Sequence, residues 1–161
     1  MKVATSALIA LAVAAPAVAR AQAPDLRVAP ELRVDAIVSE HRTAVQAGGG
    51  VQIPAGYYAR IGITGAAGAD FLRGETDASA RVDVIGRFLF DPFRQNRWGL
   101  SAGAGVSLRA HTHDWGRPFL VAVVDLEGPR GSSGVAPTIQ VGLGGGVRLG
   151  LGMRWGTPGA R

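Results

Sequence analysis

The chain contains no cysteine, only one lysine and, after its first 21 residues, no long hydrophobic run. Without cysteine, both a disulfide framework and lipid attachment through a cysteine are excluded. No later apolar segment approaches the roughly 18 residues that a transmembrane helix needs, which excludes such a helix there. Helical periodicity is absent from the same part of the sequence. These absences leave a fold built from β-strands as the expectation.

The first residues have the composition of a removable export signal. Lys2 provides a positive start, residues 3–14 an apolar core, and the small residues that follow offer A-x-A cleavage sites. The apolar core is too short to span a bilayer as a helix. We predict cleavage after Ala21, which gives a signal peptide over residues 1–21 and one exported domain over residues 22–161.

Positive charge in the predicted domain comes from arginine, because Lys2 is the only lysine. Removal of Lys2 and Arg20 lowers the formal net charge from +5 to +3. We expect no nucleic-acid partner for an exported chain. The arginines are instead suited to pairing with internal carboxylates or with anionic lipid head groups.

Apolar residues alternate with polar or small residues along most of the domain, which is the two-residue period of β-strands. Six stretches show it: LRVDAIVSE, VQAGGGVQI, YYARIGIT, SARVDVIGRFLF, WGLSAGAGVSLR and VGLGGGVRLGLGMRW. A seventh predicted strand, FLVAVVDLE, is apolar on both faces until Asp125 and Glu127. They are separated by turn-forming stretches: EHRT, PAG, LRGETD, DPFRQNR, HTHDWGRP and GPRGSSGVAP. The pattern predicts an all-β fold with an uncharged apolar face on each strand.

The second face of these strands distinguishes two all-β architectures. A soluble sandwich or barrel presents that face to water, whereas a membrane barrel encloses it and presents the apolar face to lipid. Here the second face is mainly glycine and serine with scattered arginine and aspartate. Glycine weakens a solvent-facing strand but makes room for arginine inside a narrow barrel. We predict an antiparallel up-and-down transmembrane β-barrel of eight strands, with a soluble periplasmic β-sandwich or barrel that binds a ligand as the alternative.

Charged residues on the second face form the predicted lumen network. Buried charges need partners, and a closed lumen supplies them. The predicted members are Arg33, Asp35, Arg60, Arg81, Asp83, Arg87, Arg109, Asp125 and Arg148. Because the interior of an eight-stranded barrel is just wide enough for side chains to fill, we expect no substantial diffusion through it.

The glycine-rich stretch at residues 141–155 allows three interpretations. A dinucleotide-binding loop is excluded, because the third glycine of G-x-G-x-x-G falls on Val147 or Leu149 and no helix follows; we expect no cofactor. A three-residue hairpin loop at residues 144–146 would keep the odd–even phase. We favour a continuous strand, because a similar phrase at residues 102–108 lies deep inside a predicted strand.

A continuous strand leaves only seven strands, whereas a barrel whose two ends share one side of the membrane needs an even number. The eighth strand comes either from a turn at residues 144–146 or from residues 25–34. Pro30 argues against the second choice, except at a sheet edge or at the start of a strand.

The last predicted strand resembles the C-terminal assembly signal of outer-membrane β-barrel proteins. Arg148, Gly150, Met153 and Trp155 match its polar, glycine, hydrophobic and aromatic positions. In that family the aromatic residue usually ends the chain, whereas GTPGAR follows here. The domain length also resembles that of the smallest eight-stranded members.

That resemblance implies an outer-membrane location and recognition by the barrel-assembly machinery. It also implies contact with outer-membrane lipids, including lipopolysaccharide, and binding loops at the end opposite the tight PAG turn, where we expect the longer connections LRGETD and HTHDWGRP. We expect a monomer. Aromatic residues near the other end predict a girdle at the lipid–water interface: Tyr57, Phe90, Phe93, Trp98 and Trp155.

Histidines in the predicted loops supply the candidate binding residues. His111 and His113 would point to one side of an extended backbone, with Asp114 nearby and His41 at the same barrel end. A zinc site usually needs three or four firm ligands, so we prefer a polar binding loop and expect no metal.

A lipid-modifying Ser–His–Asp enzyme is a further alternative. It would use Ser101 or Ser107 with His111 and Asp114, but nothing in the sequence marks either serine as activated. We therefore predict a non-catalytic barrel with a structural or loop-mediated binding role.

Overall fold

The structure is a computed structural model that describes residues 27–72, 75–92, 97–111 and 114–156. The predicted signal peptide lies outside these residues. The strands are β1 (Ala29–Ser39), β2 (Arg42–Pro54), β3 (Ala59–Leu72), β4 (Glu75–Leu89), β5 (Gly99–His111), β6 (Asp114–Trp115), β7 (Phe119–Glu127), β8 (Val135–Leu143) and β9 (Val147–Trp155). No helix in the described ranges is long and apolar enough to cross a bilayer.

Eight of these strands form the wall of a closed antiparallel barrel. Each of β1 to β4 pairs with the strand that follows it, β5 pairs with β7, and β9 closes the sheet on β1. The two-residue β6 folds back onto the end of β5. Every wall strand has a partner on both sides, so the barrel has no free edge. The prediction of an all-β, eight-stranded, up-and-down barrel is confirmed.

The glycine-rich stretch contains a turn, so the prediction of a continuous strand over residues 141–155 is wrong. β8 ends at Leu143 and pairs with β9 from Val147 onward. The glycines at 144–146 have φ angles of 150°, 68° and 139°, which side-chain-bearing residues rarely adopt. A three-residue loop keeps the odd–even phase, so alternation cannot distinguish it from a strand. β8 is the missing eighth strand, and it begins at Val135, inside a stretch predicted as a turn.

The barrel has two ends that differ in their connections. The terminal end carries the start of β1, the end of β9 and the connections at residues 55–58, 90–98 and 128–134. The loop end carries the connections at residues 40–41, 73–74, 112–118 and 144–146. The prediction that LRGETD and HTHDWGRP lie opposite the PAG turn is confirmed.

The LRGETD stretch is not one of the longer connections, and that part of the prediction is wrong. β3 and β4 pair as far as Leu72 and Glu75, so only residues 73–74 separate the two strands. The alternation continues to the rim, because Asp70 is buried in the lumen while Phe71 is exposed on the outside. These two strands, with 14 and 15 residues, make this side of the wall taller than the nine-residue strands β7, β8 and β9.

The two faces of the wall have opposite chemistry. None of the outward positions of the eight wall strands, all of which the structure describes, carries a charged side chain. The inward positions hold the buried charges and amides, together with a small apolar cluster of Ile85, Val121 and Val123. The predicted assignment of residues to faces is therefore confirmed, and the buried side chains lie inside the barrel.

Candidate functional site

A network of buried ion pairs fills the middle of the lumen. Arg33 donates from Nε to Asp35 Oδ2 at 2.9 Å and from Nη2 to Oδ1 at 2.6 Å. Arg81 donates to Asp35 as well, and its Nε lies 3.0 Å from Asp83 Oδ2. Arg148 Nη1 lies 3.0 Å from the same Asp83 oxygen. These contacts join side chains of β1, β4 and β9 across the interior, so the network links strands that are not all neighbours in the wall.

The network continues toward the terminal end through a third carboxylate, that of Asp125. Arg87 Nε donates to Asp125 Oδ2 at 2.8 Å, and Gln140 donates to Asp125 Oδ1 at 2.7 Å. Arg154 then bridges the last pair of acids, because its guanidinium lies 2.9 Å from Glu31 and 2.8 Å from Glu127.

Sequence reasoning found most of this network and missed several members. Seven of the predicted residues are buried and paired with an opposite charge: Arg33, Asp35, Arg81, Asp83, Arg87, Asp125 and Arg148. Arg60 lies 3.3 Å from Glu127. Arg109 is buried as predicted, but no ion pair joins it to a carboxylate in the described part of the chain. The missed charged members are Glu31, Asp70 and Arg154, and the missed amides are Gln46, Gln52 and Gln140. Each lies at an inward position of the two-residue alternation in its strand, and this alternation is the sequence signal that could have identified it.

Two inward glycines create space for arginine side chains. A Cβ at Gly150 would meet Asp35 Oδ1 and would lie 2.8 Å from Arg33 Nη2. A Cβ at Gly62 would meet the Arg87 guanidinium. The sequence therefore places glycine where the arginines cross the lumen, as the interpretation of the second face predicts.

Little free space remains beside these pairs. A cavity next to Arg33, Asp125 and Arg154 has a volume of about 10 Å³, and one next to Arg60 and Glu127 has about 20 Å³. A single water molecule needs about 10–15 Å³. Among the described residues, these two cavities are therefore too small for a water-filled path beside these pairs.

A smaller polar cluster lies at the loop end of the lumen, and it is the candidate functional site. Asp70, which is fully buried, accepts a hydrogen bond from Ser79 at 3.0 Å. Its Oδ2 lies 3.4 Å from Arg42 Nη1 and 3.3 Å from His111 Nδ1. Arg42 and His111 are also in contact, with 3.1 Å between Nη1 and Nε2. The cluster connects to the central network through Ser79, Gln46 and Arg81.

The predicted binding residues have different outcomes. His111 is part of this cluster, whereas His41 is exposed in the turn after β1, with Nδ1 3.9 Å from Glu40. His113 lies outside the described residues, and Asp114 belongs to β6 but its side chain is not described. Within the described ranges, no group of three or more histidine or acidic side chains is arranged to hold a metal ion.

The serines of the hydrolase alternative are too far from His111 to form a triad. Ser107 and His111 both face inward on β5 and are four residues apart, which is about 13 Å along a strand. Ser79 is nearer to the histidine, but its hydroxyl donates to Asp70. A triad instead needs the serine hydroxyl to donate to the histidine.

The residues of the assembly-signal resemblance occupy both faces of β9. Arg148 is buried and paired with Asp83, Gly150 makes room for the Arg33–Asp35 pair, and Met153 is exposed on the outside. Trp155 ends the strand at the terminal end. Two of the four matching residues therefore also serve the packing of the lumen.

Aromatic side chains gather around the terminal end, as predicted. Tyr58 stacks on Phe88 with 6.0 Å between ring centroids, and Phe88 meets Phe90 edge-on at 5.7 Å. Tyr57, Trp98 and Trp155 lie at the same end. Phe93 lies outside the described residues.

No family model and no curated protein match this chain. Among solved structures, the chain is similar to a de novo designed protein, TMB2.3, whose structure was determined by NMR in solution. The two share 13% sequence identity, and the similarity covers 85% of this chain and 100% of the designed chain with a TM-score of 0.48.

Proposed function

We propose that this chain is a small barrel of the bacterial outer membrane, with a sealed lumen and a non-catalytic binding role at its loop end. The observation that carries the proposal is the inverted distribution of polarity. Charges and amides are buried in the lumen, while the outward positions of all eight wall strands are free of charge. In water, this arrangement would expose most of the large apolar side chains and bury the charges. In a bilayer, both faces have the environment that their chemistry favours.

Strand length supports a membrane-spanning wall. The shortest wall strands have nine residues, and a transmembrane strand needs about 9–11 residues when it is tilted by about 45°. The closed sheet also pairs its backbone groups internally, which a hydrocarbon environment requires. The aromatic cluster at the terminal end fits a lipid–water interface.

We propose the outer membrane rather than another bilayer because of two sequence features, the predicted signal peptide and the C-terminal strand. Arg148, Gly150, Met153 and Trp155 resemble the signal that the barrel-assembly machinery recognises. That machinery and outer-membrane lipids, including lipopolysaccharide, are the proposed partners, and the protein is proposed to act as a monomer.

Cell fractionation and gel mobility test this location. We expect the protein in the outer-membrane fraction, resistant to extraction with alkaline carbonate, and migrating faster before boiling than after it. Recovery as a soluble periplasmic protein without a heat-dependent shift would overturn the proposal and favour the soluble binding protein.

A sealed lumen leads to a second expectation, which concerns conductance. Because the pairs around Asp125 and Glu31 fill the terminal half, we expect no stable conductance steps when the barrel is inserted into planar bilayers. A barrel that conducts steadily would contradict a sealed lumen without affecting the membrane location. Because a sealed lumen does not transport solutes, we propose that binding occurs at the loop end, where Arg42 and His111 are partly exposed.

A further inference from the structure

Arg109 differs from the other arginines of the lumen. Its residue surface is 6% exposed, yet in the described part of the chain neither Nε nor Nη2 has a hydrogen-bond partner. Each of the other buried lumen arginines lies within ion-pair distance of a carboxylate: Arg33, Arg81, Arg87, Arg148 and Arg154. A buried guanidinium without a partner is strongly unfavourable, so this side chain needs an explanation.

The charges around Arg109 do not supply that partner. Arg42, Arg81 and Arg148 act on it as like charges, and Asp70 is the opposing charge. Asp70 Oδ1 accepts a hydrogen bond from Ser79, whereas the buried Oδ2 has no hydrogen bond in the described part of the chain and lies 3.4 Å from Arg42 and 3.3 Å from His111. Among the side chains that the structure describes, no carboxylate lies within ion-pair distance of Arg109 in this half of the lumen.

We propose that Arg109, together with Arg42 and His111 above it, binds a phosphate group that enters from the loop end. A guanidinium presents several N–H donors in a planar fork that matches the oxygens of a phosphate. The side chains of Arg42 and His111 are 31% and 25% exposed, so the cluster is open to solvent above the buried arginine. This proposal rests on the loop-end binding role proposed above and specifies its ligand class. The phosphate comes either from solution or from a lipid head group.

The test is calorimetric titration of the full-length barrel, folded in an uncharged detergent, with inorganic phosphate at constant ionic strength. We expect saturable binding by the parent protein. In Arg109→Met, which keeps much of the side-chain volume without the donors, the dissociation constant should rise at least about tenfold. Saturable binding with equal affinity in the parent and in Arg109→Met would overturn the proposal.

A matched control separates the site from general loss of charge. Arg87→Met removes a paired arginine from the terminal half, so it should lower the urea midpoint while leaving phosphate affinity unchanged. Arg109→Met should instead keep or raise the urea midpoint without phosphate, because it removes an unpaired buried charge. If Arg109→Met does not fold, Arg109→Lys retains the charge but loses the fork, and it should bind phosphate more weakly than the parent. Equal phosphate affinity in Arg109→Lys would then count against the site.

A parallel titration with short-chain phosphatidic acid below its micellar concentration distinguishes the two sources. Tighter binding than inorganic phosphate identifies a lipid head group, and equal or weaker binding identifies free phosphate. Either result supports the phosphate site, and binding of neither probe overturns it. Because the barrel is studied in detergent, failure of the membrane location would leave this result unchanged, and failure of phosphate binding would leave the location unchanged.

Discussion

An arginine at position 106 tests whether the outer face of the barrel contacts lipid. Val106 is 46% exposed, lies on the outward face of β5 and pairs with Val84 of β4. Leu100 lies on the same face of the same strand, six residues closer to the terminal end. With a rise of about 3.4 Å per residue and a tilt of about 45°, the two positions differ in depth by ~15 Å. Since the apolar band of such barrels is about 25 Å tall, Val106 lies near its middle when Leu100 lies near its edge.

The expected effect follows from this difference in depth. Val106→Arg should lower the free energy of unfolding by about 2–4 kcal/mol, which is roughly 30-fold to 1,000-fold in the folding equilibrium. Leu100→Arg should lower it by about 0–1 kcal/mol, because arginine near an interface remains hydrated. Urea unfolding of the barrel in phospholipid vesicles, followed by tryptophan fluorescence, measures both. Val106→Ala is the control for the lost side chain.

The reasoning would be refuted by either of two results. Arginine could have the same small effect at both positions, as on a water-exposed sheet, or it could stabilise the protein at position 106. In both cases the outward face would not be in hydrocarbon, and the soluble barrel would become the better interpretation.

Two further substitutions test the interior and the turn. Asp35→Asn removes the charge that Arg33 and Arg81 share, so it should lower the free energy of unfolding in urea by about 3–5 kcal/mol. Asp77→Asn is the control, and it should be nearly neutral because Asp77 is exposed. Equal effects of the two substitutions would contradict a buried ion network. Gly146→Ala should slow or reduce folding, because its φ is 139° and the new Cβ would lie 2.5 Å from Val38 O. Gly65→Ala is its control, since the nearest atom lies 4.0 Å away, and equal folding yields on unheated gels would argue against the turn.

The face of each wall residue could be predicted from sequence because side chains of a strand alternate with a period of two. The uncharged stripe that includes Val34, Val84 and Val106 was visible without any partner strand. The inward positions of Arg33, Asp35 and Arg148 followed from the same alternation. Some of the missed lumen members, such as Glu31 and Asp70, lie beyond the segments that were recognised as strands, whereas Arg154 lies inside such a segment at an inward position.

Only the tertiary structure showed which inward side chains meet. Parity is unchanged by a three-residue loop, so the sequence alone did not distinguish the turn at residues 144–146 from a continuous strand. Closure of β9 onto β1 and the register of the pairs bring Arg154 to Glu31 and Arg148 to Asp83, and no periodicity contains that information. The same register places Arg109 among other cations and, in the described part of the chain, beyond ion-pair distance of a carboxylate. Alternation determined which residues face the lumen, and the closed barrel determined which of them have a partner, because pairing depends on distances across the interior.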